Sequence, residues 1–293
     1  MDPPPPGISK RRARLHFERA AATYDSAAVL QREICARLLE RLELVKLQPR
    51  TILDAGSGTG HMARALAARY PGARVVALDF SLAMLRRGRA PRSWWSRLTG
   101  RGRPLWSVCG DFERLPLRAA CVDLICSNFA LEWAARPERA LREWLRVLTR
   151  GGLLMFSTLG PDTLRELRTA HRGAARVHAF ADMHDTGDLL VRAGYADPVM
   201  DMERMTLTFS DFAALARELR ASGCSNAASA GDAGLRGRGW LRQLEQGYEP
   251  QRREGRLPVT FEIVYGHAWK PQQGPRVTED GRAVIRVQPR ALP

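Results

Sequence analysis

The ten residues at 51–60, TILDAGSGTG, decide the fold. An apolar run, Ile52-Leu53, ends in an acid, Asp54, and glycines follow at alternate positions, Gly56, Gly58 and Gly60. The next ten residues, HMARALAARY, bring Ala63, Leu66, Ala67 and Tyr70 round at i, i+3, i+4 and i+7, the period of a helix with one apolar face. The stretch reads as strand, tight turn, helix. Glycine suits such a turn because the turn needs unusual backbone angles and lets a ligand approach the backbone closely. The first N–H groups of the helix then point at that ligand. Two phosphate-binding patterns fail here. The dinucleotide fingerprint G-x-G-x-x-G needs glycine at 61, where His61 stands, and the Gly-Lys-Ser/Thr ending of a P-loop is absent. What remains is D-x-G-x-G-x-G.

The chain has 293 residues, enough to bury a full core. It contains no apolar run of about 18 residues, so no membrane-spanning helix is expected. A twin arginine, Arg11-Arg12, lies near the start, but residues 15–28 are too polar for the apolar stretch of a signal peptide. The expected location is cytoplasmic. The five cysteines are scattered and form no C-x-x-C, which fits a reducing compartment and gives neither a disulfide framework nor a zinc site. Formal net charge is +15, carried almost wholly by arginine, since the only lysines are Lys10, Lys46 and Lys270. Genome composition accounts for part of this. An acidic partner met by electrostatic steering accounts for it more specifically, and both nucleic acid and an acidic carrier protein qualify.

Five segments follow along the chain. Residues 1–10 form a disordered lead. Residues 11–47 are helical, with Leu30, Ile34 and Leu38 in one apolar row, and Tyr24-Asp25 stand ahead of that row. Residues 48–160 carry five strands. The first ends at Asp54, the second, ARVVALD, at Asp79, and the third, 106–109, just before Asp111-Phe112. The fourth, 122–127, leads into Asn128, and the fifth is LLMFSTL after Gly151-Gly152, which are expected to end the preceding helix. An acid about 20 residues beyond the glycines is placed to accept from both hydroxyls of a ribose. Ser81 is expected to cap the next helix. Residues 161–271 add helices, a strand within VMDMERMTLTF, the helix FAALARELRASG, a helix running to Gly255, and a last strand in LPVTFEIVYGHAWKP. Residues 272–293 are a loose tail. Strands alternating with helices give an α/β, doubly wound sheet that binds its ligand at the carboxyl ends of the strands. Asp54, Asp79, Asp111 and Asn128 all fall at those ends. The stretch 86–104, with many arginines around Trp94-Trp95, reads either as a docking arm for an acidic partner or as a surface loop. Asp182, His184 and Asp185, with His178 nearby, have no usual metal spacing, so no metal is expected.

The glycine turn resembles motif I of class I S-adenosylmethionine (SAM)-dependent methyltransferases. More of the chain, from FERAAATYD through LDAGSGTG, ALDFSLAML, GDFERLPL, DLICSNFALEW and GPDTLRELR to VTFEIVYGHAWKP, resembles the malonyl-acyl-carrier-protein O-methyltransferase family of biotin synthesis. The likeness spans residues 15–271. It implies a Rossmann-like class I methyltransferase sheet, mostly parallel with an antiparallel last strand, under an N-terminal helical lid. It implies SAM as cofactor. Asp54, Gly56, Gly58 and Gly60 then hold its methionine end, Asp79 the ribose, and Asp111 with Phe112 the adenine, with Asn128 beside the methionine. Ser57, Phe80 and Met84 complete the cofactor set, and Tyr24 lies in the lid at the active site. The implied reaction is methyl transfer to the free carboxylate of a malonyl thioester on acyl carrier protein, an acidic partner. That carboxylate is already ionised at neutral pH, so no general base is required. An arginine should hold the malonyl group, and Arg217 and Arg220 are the candidates.

Two other readings share the fold. A mitochondrial assembly factor described as a protein-arginine hydroxylase resembles this family through the same core, GPDTLRELR and the Gly-Cys-Ser-Asn stretch at 223–226. A nucleic-acid methyltransferase suits the charge. However, the Asn-Pro-Pro-aromatic motif of amino-group methylation is absent at Ser127-Asn128-Phe129-Ala130, and Cys121 and Cys126 read as strand cysteines rather than nucleophiles.

Overall fold

The apolar runs that end in acids are the central strands of a seven-stranded sheet. The computed structural model describes residues 8–88, 105–170, 179–223 and 238–272. In sequence order the strands are β1 Thr51–Ala55, β2 Arg74–Asp79, β3 Trp106–Cys109, β4 Val122–Asn128, β5 Leu148–Leu159, β6 Ala196–Phe209 and β7 Leu257–Trp269. They hydrogen-bond in the order β3-β2-β1-β4-β5-β7-β6. The pairs from β3 across to β5 are parallel, and β7 runs antiparallel to both β5 and β6. The expected sheet is therefore present, with its one reversed strand inserted between β5 and β6. Chain order reverses between β1 and β4, and a ligand crevice opens outside the carboxyl ends at such a switch point.

Helices cover both faces, which is why β1 and β4 are almost continuously apolar and buried. One face packs Ile52, Leu124 and Met155 against α3 (Val29–Arg41) and α4 (His61–Arg69). The other packs Leu53, Leu78 and Leu154 against α6 (Pro137–Val147), whose Trp144 is fully buried. Between these lie α5 (Leu82–Gly88), started by Ser81, whose Oγ accepts from Met84 N at 3.3 Å. Beyond them follow α7 (Arg165–Ala170), α8 (Met183–Ala193), α9 (Phe212–Ala221) and α10 (Arg238–Tyr248).

Two local expectations are corrected. Gly151-Gly152 do not end α6. That helix stops at Val147, and Leu148 already pairs with Val122. The glycines sit inside β5 at a register shift, where a Gly152 Cβ would stand 2.9 Å from Thr149 O. The last helix ends at Tyr248 rather than Gly255, with a 3₁₀ turn, Glu249–Gln251, in which Pro250 cannot extend the α-helical ladder. The N-terminal helical segment is divided into three α-helices: α1 (Lys10–Ala20), α2 (Tyr24–Ala27) and α3. The first break is held by Thr23, whose hydroxyl donates to Ala20 O and to Ala221 O. The second lies at Ala28, which leaves the helical region. These breaks turn Tyr24 and Asp25 toward the glycine turn.

Candidate active site

The glycine turn follows β1 directly. Gly56, Gly58 and Gly60 have φ of +84°, +53° and +79°, angles that strain any residue with a Cβ. Gly56 is also crowded, since a Cβ there would stand 2.3 Å from the Ala130 Cβ. Gly56 N and Ser57 N both donate to Leu78 O, at 2.8 and 2.9 Å. Asp79 completes the attachment to β2: its Oδ2 accepts from Gly58 N at 2.8 Å and its Oδ1 from Ser81 N at 2.7 Å. The acid that ends β2 thus shapes the turn that ends β1.

Beside the turn lies a cavity of about 240 Å³. Asp54, Ser57 and Asn128 line it from the strand ends, and Tyr24, Gln31 and Arg32 line it from the N-terminal helices. Asp54 is 1% exposed and Ser57 8%. Asp54 Oδ2 and Ser57 Oγ are buried with no hydrogen-bond partner among the described residues. Native structures seldom leave buried polar atoms unpaired, so two in one cavity mark the seat of a polar ligand. Burial pushes the Asp54 carboxyl up to about 7 against a bond from the Ala63 N–H, and the nearby Asp79 adds to the rise. Burial likewise raises Asp79 to about 6, against the Ser81 and Gly58 N–H groups. A ligand bearing an ammonium group answers both features, because it pairs the orphan oxygen and favours the ionised acid. SAM carries such a group, so the residues fit the expected cofactor.

The remaining predicted residues divide into groups. Asn128 Nδ2 donates to Gln31 O at 2.8 Å, and its Oδ1 accepts from Ser157 Oγ at 2.8 Å. Next to it Phe129 has φ +49°, a strain of about 1–3 kcal/mol of the kind that collects at functional sites. The Tyr24 ring lies over Gly58, 3.7 Å from where its Cβ would be. Further along the strand ends, α1 covers Phe80, Met84 and the loop carrying Asp111 and Phe112. Phe17 packs on Phe80 and Trp133 with centroids 5.9 and 5.1 Å apart. Met84 is fully buried against Ala20 and Ala21. Lys10 Nζ reaches Asp111 at 2.5 Å and Glu113 at 2.7 Å. Arg217 and Arg220 line a different, open cavity with Arg19. The structure therefore does not bring them together with Asp54 and Asn128.

Several contributors escaped sequence reasoning. Gln31 and Arg32 enter the cavity from the start of α3, and the Arg32 guanidinium donates to Asp25 O. Thr59 Oγ1 donates to Asp25 Oδ1 at 2.6 Å, tying α2 to the turn. Two polar residues interrupting the apolar row of α3, seven and eight positions after Tyr24, were the available signal. Glu132 accepts from Thr158 Oγ1 at 3.2 Å, and burial pushes its carboxyl up to about 8.

Cys35 and Cys126 behave as packing residues. Burial pushes Cys35 up to about 12 and Cys126 well above its usual range, and both are buried, whereas Cys109 is exposed. Brief iodoacetamide treatment of the native protein should therefore alkylate Cys109 and spare Cys35 and Cys126, read by peptide mass spectrometry. Labelling of Cys126 would restore a nucleophilic thiol to consideration. Trp94-Trp95, His178, residues 224–226 and the tail from 273 lie outside the described residues. Among the described residues no group of three metal-ligating side chains occurs, and no helix is long and apolar enough to cross a membrane.

Comparison with known proteins agrees with this geometry. Residues 53–156 match the family model described as "Methyltransferase domain". A SAM-dependent methyltransferase from Thermotoga maritima shares the fold, with a TM-score of 0.52 at 18% identity over 88% of this chain and 99% of that one. Fold and glycine turn together define a class I SAM-dependent methyltransferase. Among curated proteins, the chain is 51% identical to the malonyl-[acyl-carrier protein] O-methyltransferase of Gallionella capsiferriformans, covering 96% of this chain and 97% of that protein. It is 52% identical to the protein of that name from a Methylovorus strain, covering 97% and 96%. The chain belongs to the malonyl-[acyl-carrier protein] O-methyltransferase family.

Proposed function

We propose that this chain transfers a methyl group from SAM to the free carboxylate of a malonyl group carried on acyl carrier protein, the esterification that serves biotin synthesis. The observation that carries the reading is the pair of orphaned polar atoms, Asp54 Oδ2 and Ser57 Oγ, in a cavity closed by Asn128 and the N-terminal helices. It occurs in a chain half identical to enzymes named for that reaction. When bound, SAM supplies a sulfonium-activated methyl group. Asp54 and the glycine turn hold its methionine end, Asp79 its ribose, and Asp111 with Phe112 its adenine. Phe80 and Met84 set the floor on which α1 closes.

The chain's own residues then have little proton chemistry to perform. A malonyl carboxylate with an ordinary pKa of about 4 arrives ionised, so its oxygen is already nucleophilic. The work left to the protein is alignment and exclusion of water. Tyr24 borders the space from the lid, and Arg32 supplies a cation in the same cavity. Burial, then Arg64 and Arg32, push the His61 imidazole down, so at neutral pH it stands uncharged beside them. Methyl label from SAM should appear on malonyl-carrier as a base-labile ester. Label on the carrier that resists base would contradict carboxyl transfer.

Two substitutions test the assignments. Asp79→Ala removes the acceptor of the Gly58 and Ser81 N–H bonds as well as the expected ribose contact. It should weaken SAM binding by about 1.5–3 kcal/mol, the scale of bonds to a charged group; calorimetric affinity equal to wild type would remove Asp79 from the site. Tyr24→Phe should lower turnover several-fold while SAM affinity stays within about twofold, since the ring's packing on Gly58 survives. Unchanged turnover would take the hydroxyl out of the active site.

A further inference from the structure

The second cavity gives Arg217 and Arg220 a target other than the malonyl carboxylate. It is open and about 570 Å³ in volume, with a floor of small residues, Ala20, Ala213 and Ala221, and a rim of Arg19, Arg217 and Arg220. All three arginines are exposed. Among the described residues, Glu18 pairs with Arg14 at 2.9 Å, Asp25 accepts from Thr59, and Asp211 caps α9 through Ala214 N at 2.7 Å while lying near enough to Arg217 to feel its charge. The remaining acid of α9, Glu218, is half-buried and faces Arg32. The basic surface continues along α1, where Arg12, an exposed Leu15 and Arg19 fall at i, i+3 and i+7 on the outer side. The inner side of the same helix carries Ala13, Phe17 and Ala20 against Trp133, Phe80 and Met84. The turn joining α1 to α2 separates the two cavities, with Thr23 lining the arginine cavity and Tyr24 the cofactor cavity.

We infer that this α1–α9 face is where the acyl carrier protein docks. The arginine rim would take the acidic helix and the phosphodiester from which the thioester arm springs, with Leu15 giving an apolar contact at the centre. The inference rests on the reading of the substrate given above. Its physical content is charge complementarity: a rim of three exposed arginines attracts carboxylates and phosphate, and the guanidinium fork suits both. The position is also right, because an arm leaving this rim has only the α1–α2 turn to cross before it reaches Tyr24. A helix that covers the cofactor on one side and meets the carrier on the other would be held down by docking, so the site closes when the acceptor arrives.

The test uses the carrier protein in its holo form, with the arm but no malonyl group, labelled with a fluorophore and titrated with enzyme saturated with S-adenosylhomocysteine. Wild type should bind saturably and lose affinity as salt rises. The Arg19→Glu/Arg220→Glu double variant should bind at least about 10-fold more weakly, since two attractions become repulsions at a desolvated rim, and its SAM affinity should stay within about twofold. Arg217→Glu, confined to α9, gives the same reading without touching the lid helix. Equal carrier affinity in wild type and variants, or no salt-sensitive binding by wild type, would overturn the surface. So would a loss confined to malonyl-loaded carrier, which would return the arginines to the malonyl group. Methylation of malonyl-carrier by wild type is scored separately, so the docking surface can fail while the reaction stands.

Discussion

Asp54→Asn is expected to weaken SAM binding by about 50-fold or more, the scale of a lost charge-assisted bond, and at the same time to stabilise the unliganded protein. The two effects have one cause. Asp54 is fully buried with an oxygen that has no partner among the described residues, so its charge is costly until a cation arrives. Its carboxyl rises from 3.8 to about 7 on folding. A group raised in this way supports the folded state at acidic pH and loses that support as pH climbs from about 4 to 7. Above pH 7 the unliganded protein carries a buried anion whose cost is at most about 4 kcal/mol by linkage. Asparagine removes the charge but brings an N–H of its own, so a gain of about 1–2 kcal/mol is expected, or about 3–6 °C in midpoint for a chain of this size. The difference from wild type should be largest near pH 8 and shrink toward pH 4. The same titration predicts that wild-type SAM affinity falls as pH drops through 7 and then 6, because protonating Asp54 and Asp79 removes what the cofactor's cation and hydroxyls bind. A variant less stable than wild type at pH 8, or an affinity flat between pH 5.5 and 8, would contradict this picture of the cavity.

Gly56→Ala should be among the most damaging single methyl additions at the described glycines. The new Cβ would stand 2.3 Å from that of Ala130, at a φ of +84°. Either the turn leaves Leu78 O, which holds both Gly56 N and Ser57 N, or the loop after β4 moves away with Phe129 and Asn128. The strain and the overpacking together should destabilise the fold by about 3 kcal/mol, measured by urea unfolding, and SAM binding should fall below detection. Gly72→Ala is the control. Nothing lies within 4 Å of a Cβ there, so stability should stay within about 0.5 kcal/mol. A Gly56→Ala protein as stable as the Gly72 control would mean that Ala130 yields easily and that the turn is not clamped from both sides.

The sheet and the cofactor end of the site were legible because their signals are local. An apolar run closed by an acid marks a central parallel strand, and the D-x-G-x-G-x-G turn specifies both backbone angles and ligand approach. Asp54, Gly56, Ser57 and Asn128, named from those signals, line one cavity in the structure. The start of β5 was not legible, since Leu148-Thr149-Arg150 looks like the end of a helix and becomes a strand only through pairing with Val122. The breaks in the N-terminal segment were hidden for a similar reason. Residues 20–28 are rich in alanine, a good helix former, and what turns the chain there is Thr23 reaching Ala221, 198 positions away. Lys10 with Asp111 and Glu113, and Asp25 with Thr59, are likewise long-range pairs that leave no period in the sequence. Arg217 and Arg220 could be recognised as a basic pair on one helix face. Which anion they meet depends on the second cavity, which forms only when α1 and α9 come together.

Methyl transfer to a malonyl carboxylate is tested most directly by intact-mass spectrometry of malonyl-acyl carrier protein incubated with the purified protein and SAM. A mass gain of one methyl group is expected on malonyl-carrier, and none when acetyl-carrier, which lacks the free carboxylate, takes its place. Transfer to both carriers, or to neither while SAM binding is confirmed separately, would contradict it.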